Sequence, residues 1–156
     1  MTPDDIVSAL VSSLCDVVPK ASWGETALFY NRGRQLPNGV YFCTIKDHDG
    51  ANDRASHLDR QGIFRLAFAL DNATYVQYFG AKPPRPAKGC AATSGHDYTK
   101  LNQLMPHPVY AWMGWVQVLC PTAEMFSTLQ PLIGQAHRTA MASFDKRIGR
   151  QKRSRQ

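Results

Sequence analysis

From Ile63 to Leu70 every second residue is bulky and apolar: Phe64, Leu66, Phe68 and Leu70. A period of two is the mark of a strand with one face in a core. The intervening positions are Ile63, Arg65, Ala67 and Ala69, so the other face sets one guanidinium among small neighbours. Any fold for this chain must therefore cover the first face and give Arg65 an anion on the second. A buried cation left unpaired costs several kcal/mol.

The rest of the chain supplies cover and partner strands. Thr2, Pro3 and Asp5 read as a cap, a first helical residue and a capping box. Ile6, Leu10, Leu14 and Val17 then recur at helical spacing until Pro19. Thr26 to Tyr30 and Val40 to Lys46 read as a hairpin closing on Pro37-Asn38-Gly39, and Asp47 to Gln61 as a long loop. Asp71 or Asn72 can cap a short helix through Tyr78 and Phe79, stopped by Gly80. Residues 81–96, with Pro83, Pro84 and Pro86, read as loop, and a helical turn is expected around Tyr98 to Leu104. A strand is expected from Ala111 to Leu119. In the last helix Phe126, Leu129, Leu132, Ile133, Ala136, Ala140 and Phe144 form an apolar stripe, and Pro131 should kink or divide it. The expected fold is α+β: an antiparallel sheet of about four to five strands, with an N-terminal helix, a short middle helix and a long kinked C-terminal helix.

Charge is unevenly spread. The net charge is +6, but residues 146–156 hold six cations and no acid, which leaves 12 of the 18 basic residues against all 12 acids in residues 1–145. The expectation is a single neutral domain over 1–145 and a basic, flexible tail over 146–156. Such a tail is either a solubilising helix end or a salt-sensitive handle for nucleic acid, anionic lipid or an acidic partner. No apolar run approaches the roughly 18 residues of a membrane span, and the first turn is acidic, so a cytoplasmic protein is expected. Cys15, Cys43 and Cys120 read as small buried hydrophobes of a reducing compartment, Cys90 as an exposed loop residue.

Pro106-His107-Pro108 carries the second candidate feature. Prolines on both sides restrict the backbone around His107, so its imidazole is aimed. Tyr110 and Trp112 follow, with Trp112 sharing a strand face with Gly114, Val116 and Val118 by alternation. Arg65 is satisfied either by an internal carboxylate, Asp59 or another, or by the carboxylate or phosphate of a ligand. Asp59 and Arg60, just ahead of the strand, belong to the candidate set. The run Asp47-His48-Asp49-Gly50 has the composition of a metal loop but fails EF-hand spacing; no metal and no cofactor are expected. His96 reads as an exposed loop residue, and His137 as a side chain reaching out beside the apolar stripe. Phosphate-binding glycine loops and a G-x-S-x-G elbow are missing from the sequence.

Two motifs carry a resemblance. Leu58-Asp59-Arg60-Gln61-Gly62-Ile63-Phe64-Arg65-Leu66, together with Leu104-Met105-Pro106-His107-Pro108-Val109-Tyr110 and Gly114-Trp115-Val116-Gln117-Val118-Leu119, resembles a family of small uncharacterised bacterial proteins, a domain of unknown function. The resemblance runs from the first helix to about Phe144. Family members follow the second arginine and leucine with Asn; Ala67 stands here, so a site built on that Asn is altered in this chain. More distantly, the last strand and helix are similar to YjbR-like α+β proteins, a likeness that implies fold and not activity.

The favoured reading is a domain that binds an anionic or polar small molecule, with Arg65 as anchor, Asp59 and Arg60 beside it, Tyr110 and Trp112 as wall, and His107 as the catalytic acid–base group if the protein is an enzyme. The alternatives are nucleic-acid binding through the basic tail, or a non-catalytic interaction subunit that pairs with a partner protein or a second copy through a sheet edge.

Overall fold

The computed structural model describes residues 1–22 and 24–156. Among them the elements run α1 (Pro3–Ser13), β1 (Val17–Ser22), β2 (Glu25–Tyr30), β3 (Val40–Lys46), β4 (Arg65–Ala69), α2 (Asn72–Phe79), β5 (Met105–Pro106), β6 (Trp115–Leu119) and α3 (Ala123–Ser154). The strands form one antiparallel sheet in the order β1-β2-β3-β4-β6-β5. The α+β expectation holds, with six strands among the described residues in place of four to five.

The extra strands have local causes. α1 has the expected capping box, Thr2 accepting from the Asp5 amide while the Asp5 carboxylate accepts from the Thr2 amide. It stops at Ser13, not near Pro19, and Asp16 at φ 55 turns the chain into β1. Val17 and Pro19 therefore lie in a strand, and Pro19 is tolerated because β1 is an edge. Cys15 leaves the helix with this change and is exposed, not a buried hydrophobe. β5 is only two residues long and pairs with β6 through Met105 and Pro106.

One sheet face meets the helices. Leu66 and Phe68 of β4, Val116 and Val118 of β6, Ile6 and Leu10 of α1, Tyr75 of α2, and Phe126, Leu129, Ile133 and Phe144 of α3 form one buried cluster. Each such side chain removed from water contributes about 1.5–3 kcal/mol. α3 is continuous, so Pro131 does not divide it. The basic run read as a tail continues α3 through Ser154, its charged residues exposed and Ile148 still packed against the core. His137 does not reach outward: it is buried, Nε2 donates to the Cys15 carbonyl at 2.8 Å, and its ring meets Tyr30 and Phe42 edge-on. No described helix is long and apolar enough to cross a membrane.

Two irregularities shape the opposite face. Ala111–Met113 is a 3-10 turn, and strand β6 begins only at Trp115. Gly114 joins them at φ 86, where a Cβ would stand 2.8 Å from the Leu70 carbonyl oxygen. Only glycine fits that approach. Trp112 therefore does not share a strand face with Val116. Between β2 and β3 the register passes from Leu28↔Cys43 to Phe29↔Tyr41, skipping Phe42. This bulge puts Phe42 and Cys43 both in the core and turns Tyr41 to the side of Thr44 and Lys46. Loops cover the rest of that face. Gln117 is fully buried there, accepting from Ser56 Oγ at 3.0 Å and donating to the Tyr98 carbonyl at 3.2 Å. No helix forms around Tyr98 to Leu104; Leu101 instead bridges Leu119.

Candidate functional site

A cleft of about 420 Å³ opens on the loop-covered face. Its floor is a row across three strands, since Glu25 of β2 is in register with Lys46 of β3, and Lys46 with Arg65 of β4. Arg65 is 2% exposed. Its fork meets the Asp53 carboxylate, Nη1 donating to Oδ1 at 3.0 Å and Nη2 to Oδ2. Arg65 Nε is buried with no partner among the described residues. The internal anion is thus Asp53 and not Asp59.

The loop is folded to deliver that carboxylate. Gly50 and Asp53 exchange backbone hydrogen bonds at 3.0 and 3.3 Å, making a tight turn. Asp49 accepts from the Leu58 amide at 2.8 Å, and Asp59 accepts from the Asp49 amide at 3.0 Å. Lys46 Nζ lies 3.5 Å from Asp53 Oδ2. Burial would raise the Asp53 pKa, but the Arg65 hydrogen bond and the charges of Arg65 and Lys46 outweigh it. The carboxyl is held at about 2.

His107 lines the same cleft and is 2% exposed. Its amide donates to the Trp115 carbonyl at 3.0 Å, which ties the Pro-His-Pro segment to β6. Nδ1 accepts from the amides of Val109 and Tyr110 at 3.0 and 3.1 Å. An atom that accepts two N–H groups carries no proton, so the ring is the neutral tautomer with hydrogen on Nε2. Burial, joined by the positive charge of Arg65, drives its pKa well below the ordinary histidine value, Asp53 opposing only in part. The chemistry left to His107 is that of a fixed, neutral donor.

A pair of variants separates the two ends of this ring. His107→Asn should keep the turn, because Asn Oδ1 accepts from the second following amide as Nδ1 does. His107→Leu leaves both amides without their acceptor and should cost about 2 kcal/mol more, read from urea midpoints.

Tyr110, 47% exposed, Trp115 and Tyr41 make the apolar wall, with Trp115 and Tyr41 ring centroids 5.7 Å apart. The remaining candidates lie elsewhere. Trp112 does not line the cleft; Arg85 sits over its ring at 5.0 Å. Arg60 donates to the carbonyls of His57, Ser56 and Thr99, pinning two loops together. His48, a candidate ligand of the supposed metal loop, pairs with Asp47, and the described residues contain no group of three or more metal-ligating side chains. His96 is half-buried, its Nδ1 near the Ser94 carbonyl oxygen at 3.0 Å.

The family resemblance has a direct test, since a family model spans residues 1–149. The chain belongs to DUF6194, a family of unknown function. The DUF6194 match takes in every residue of the cleft, from Glu25 to Trp115. No curated protein and no solved structure matches the chain.

Proposed function

We propose that the cleft binds a small organic molecule, polar or anionic, whose oxygen acceptor meets His107 Nε2–H and Lys46 Nζ and whose body lies against Tyr41, Tyr110 and Trp115. The observation that carries this reading is the convergence of Arg65 and His107, distant in sequence, on one cleft of about 420 Å³. Small-molecule sites combine an apolar wall with a few converging polar groups in this way. With its fork committed to Asp53, Arg65 positions that carboxylate and adds to the burial that keeps His107 neutral. Lys46 is the cation with donors to spare, since Asp53 Oδ2 at 3.5 Å engages at most one of its three N–H groups. Four free thiols suit a cytoplasmic setting.

Benzoate, a carboxylate on a planar apolar body, is a suitable probe. Titration followed by tryptophan fluorescence should saturate, and Lys46→Met should weaken binding by at least about tenfold through loss of a charge-assisted hydrogen bond. Benzoate that fails to saturate, or binds Lys46→Met equally well, refutes the reading.

A further inference from the structure

Among the described residues two carboxylates line the cleft, and they differ in their partners. Asp53 is committed to Arg65 and Lys46. Glu25 is half-buried and makes no hydrogen bond or ion pair among the described residues. It shares the cleft with the neutral His107 ring, whose Nδ1 is occupied.

We propose that Glu25 is the general base of this cleft, removing a proton from carbon while His107 Nε2–H steadies the oxygen or nitrogen on which charge develops. The substrate class is a small carbonyl compound or carboxylic acid with an acidic C–H. The step balances without a co-reactant. The C–H bond breaks, an O–H bond forms on Glu25, and the electron pair moves through the adjacent carbon to the carbonyl oxygen. Return of the proton to another carbon, or loss of a leaving group, completes an isomerisation or elimination. The inference rests on the cleft being a ligand site.

The electrostatics agree with the geometry. Burial raises the Glu25 pKa, while Lys46 of β3 and Arg65 of β4 lower it; Asp53 and His48 of the neighbouring loop oppose each other, the first raising and the second lowering. A base raised toward neutrality is a stronger proton acceptor at working pH than an ordinary surface carboxylate. His107 cannot fill that role, because Nδ1 is taken by two amides and the proton already sits on Nε2.

The probe is 5-nitrobenzisoxazole, a planar carbon acid. Glu25 would take its C3 proton, the C–N bond becomes a nitrile, the N–O bond breaks, and the phenolate released is followed by absorbance. Wild-type protein should turn the probe over faster than an equal concentration of Glu25→Gln by at least about tenfold. The pH profile should show one ionisation, above the ordinary glutamate range, and then a plateau. Equal turnover by Glu25→Gln overturns the proposal, as does the absence of turnover by wild type above buffer. A rate still climbing through the lysine range also overturns it. Benzoate titration of Glu25→Gln separates the two readings: saturable binding together with failed turnover removes the base and leaves the ligand site standing. Thermal melts guard against misfolding, since removing a carboxylate that the fold disfavours should leave the melting temperature at pH 7 unchanged or higher.

Discussion

Replacing Asp53 with alanine is expected to lower stability by about 3–5 kcal/mol, the usual cost of stranding one member of a buried ion pair. Arg65 would keep its place in the middle of the sheet, 2% exposed, without the Asp53 carboxylate for its fork and with Nε already unpartnered among the described residues. Lys46 would lose the same acceptor. Urea denaturation gives the number. The informative comparison is the double variant Asp53→Leu with Arg65→Met, in which both charges go. Because the desolvation cost of a buried pair roughly offsets its attraction, the double variant should recover most of what Asp53→Ala loses. Additive losses would mean that the two side chains are held by other contacts and that the pair is not the keystone of the cleft floor.

The second large effect is acid sensitivity, and it comes in two stages of the same sign. His107 has a folded pKa well below its ordinary value of 6.5. The unfolded chain therefore binds a proton before the folded one does, and stability that is complete above about pH 6.5 declines as pH falls below it. Asp53 adds a later stage. Its folded pKa of about 2 against an ordinary 3.8 makes a contribution present above pH 3.8 that is lost as pH falls toward 2, about 2 kcal/mol in all. Glu25 works in the opposite direction, because its folded pKa is raised; its contribution is lost as pH rises through that window. Urea midpoints should be lower at pH 3 than at pH 8 and lower again at pH 2. His107→Asn should flatten the first stage and leave the second, and an unchanged first stage in that variant would show that the decline belongs to another group.

How much of this was legible in the residues depends on the kind of signal. The alternation from Phe64 to Leu70 predicted both a core face and an Arg65 turned away from it, and both are present. Local caps were equally readable: Thr2 with Asp5, and Asp71 ahead of α2, act as their chemistry demands. The His107 ring is held by the Val109 and Tyr110 amides, a contact that the flanking prolines alone did not announce. What was not legible depends on pairing between distant segments. Asp53 and Asp59 are near neighbours in one polar loop, and only the Gly50–Asp53 turn decides which carboxylate meets Arg65. The Glu25–Lys46 pair was hidden too: carrying the hairpin register outward from the Pro37-Asn38-Gly39 turn sets Glu25 against Ile45, and only the skipped Phe42 brings Lys46 opposite it. The same bulge hides Tyr41, because alternation counted back from Lys46 and Thr44 puts it on the opposite face. The same holds for Trp112 and Trp115: a single left-handed Gly114 separates a 3-10 turn from a strand, and periodicity does not see it.

The position of β6 between β4 and β5 has a consequence for synthesis on the ribosome. The His107 amide is held by the Trp115 carbonyl, and Arg65 lies in register with Leu119. A nascent chain that has released its first hundred residues holds Glu25, Lys46, Asp53 and Arg65 but not the strand that pairs beside β4. Until Leu119 leaves the exit tunnel, the backbone edge of β4 that β6 will pair stays open, so the cleft is completed late.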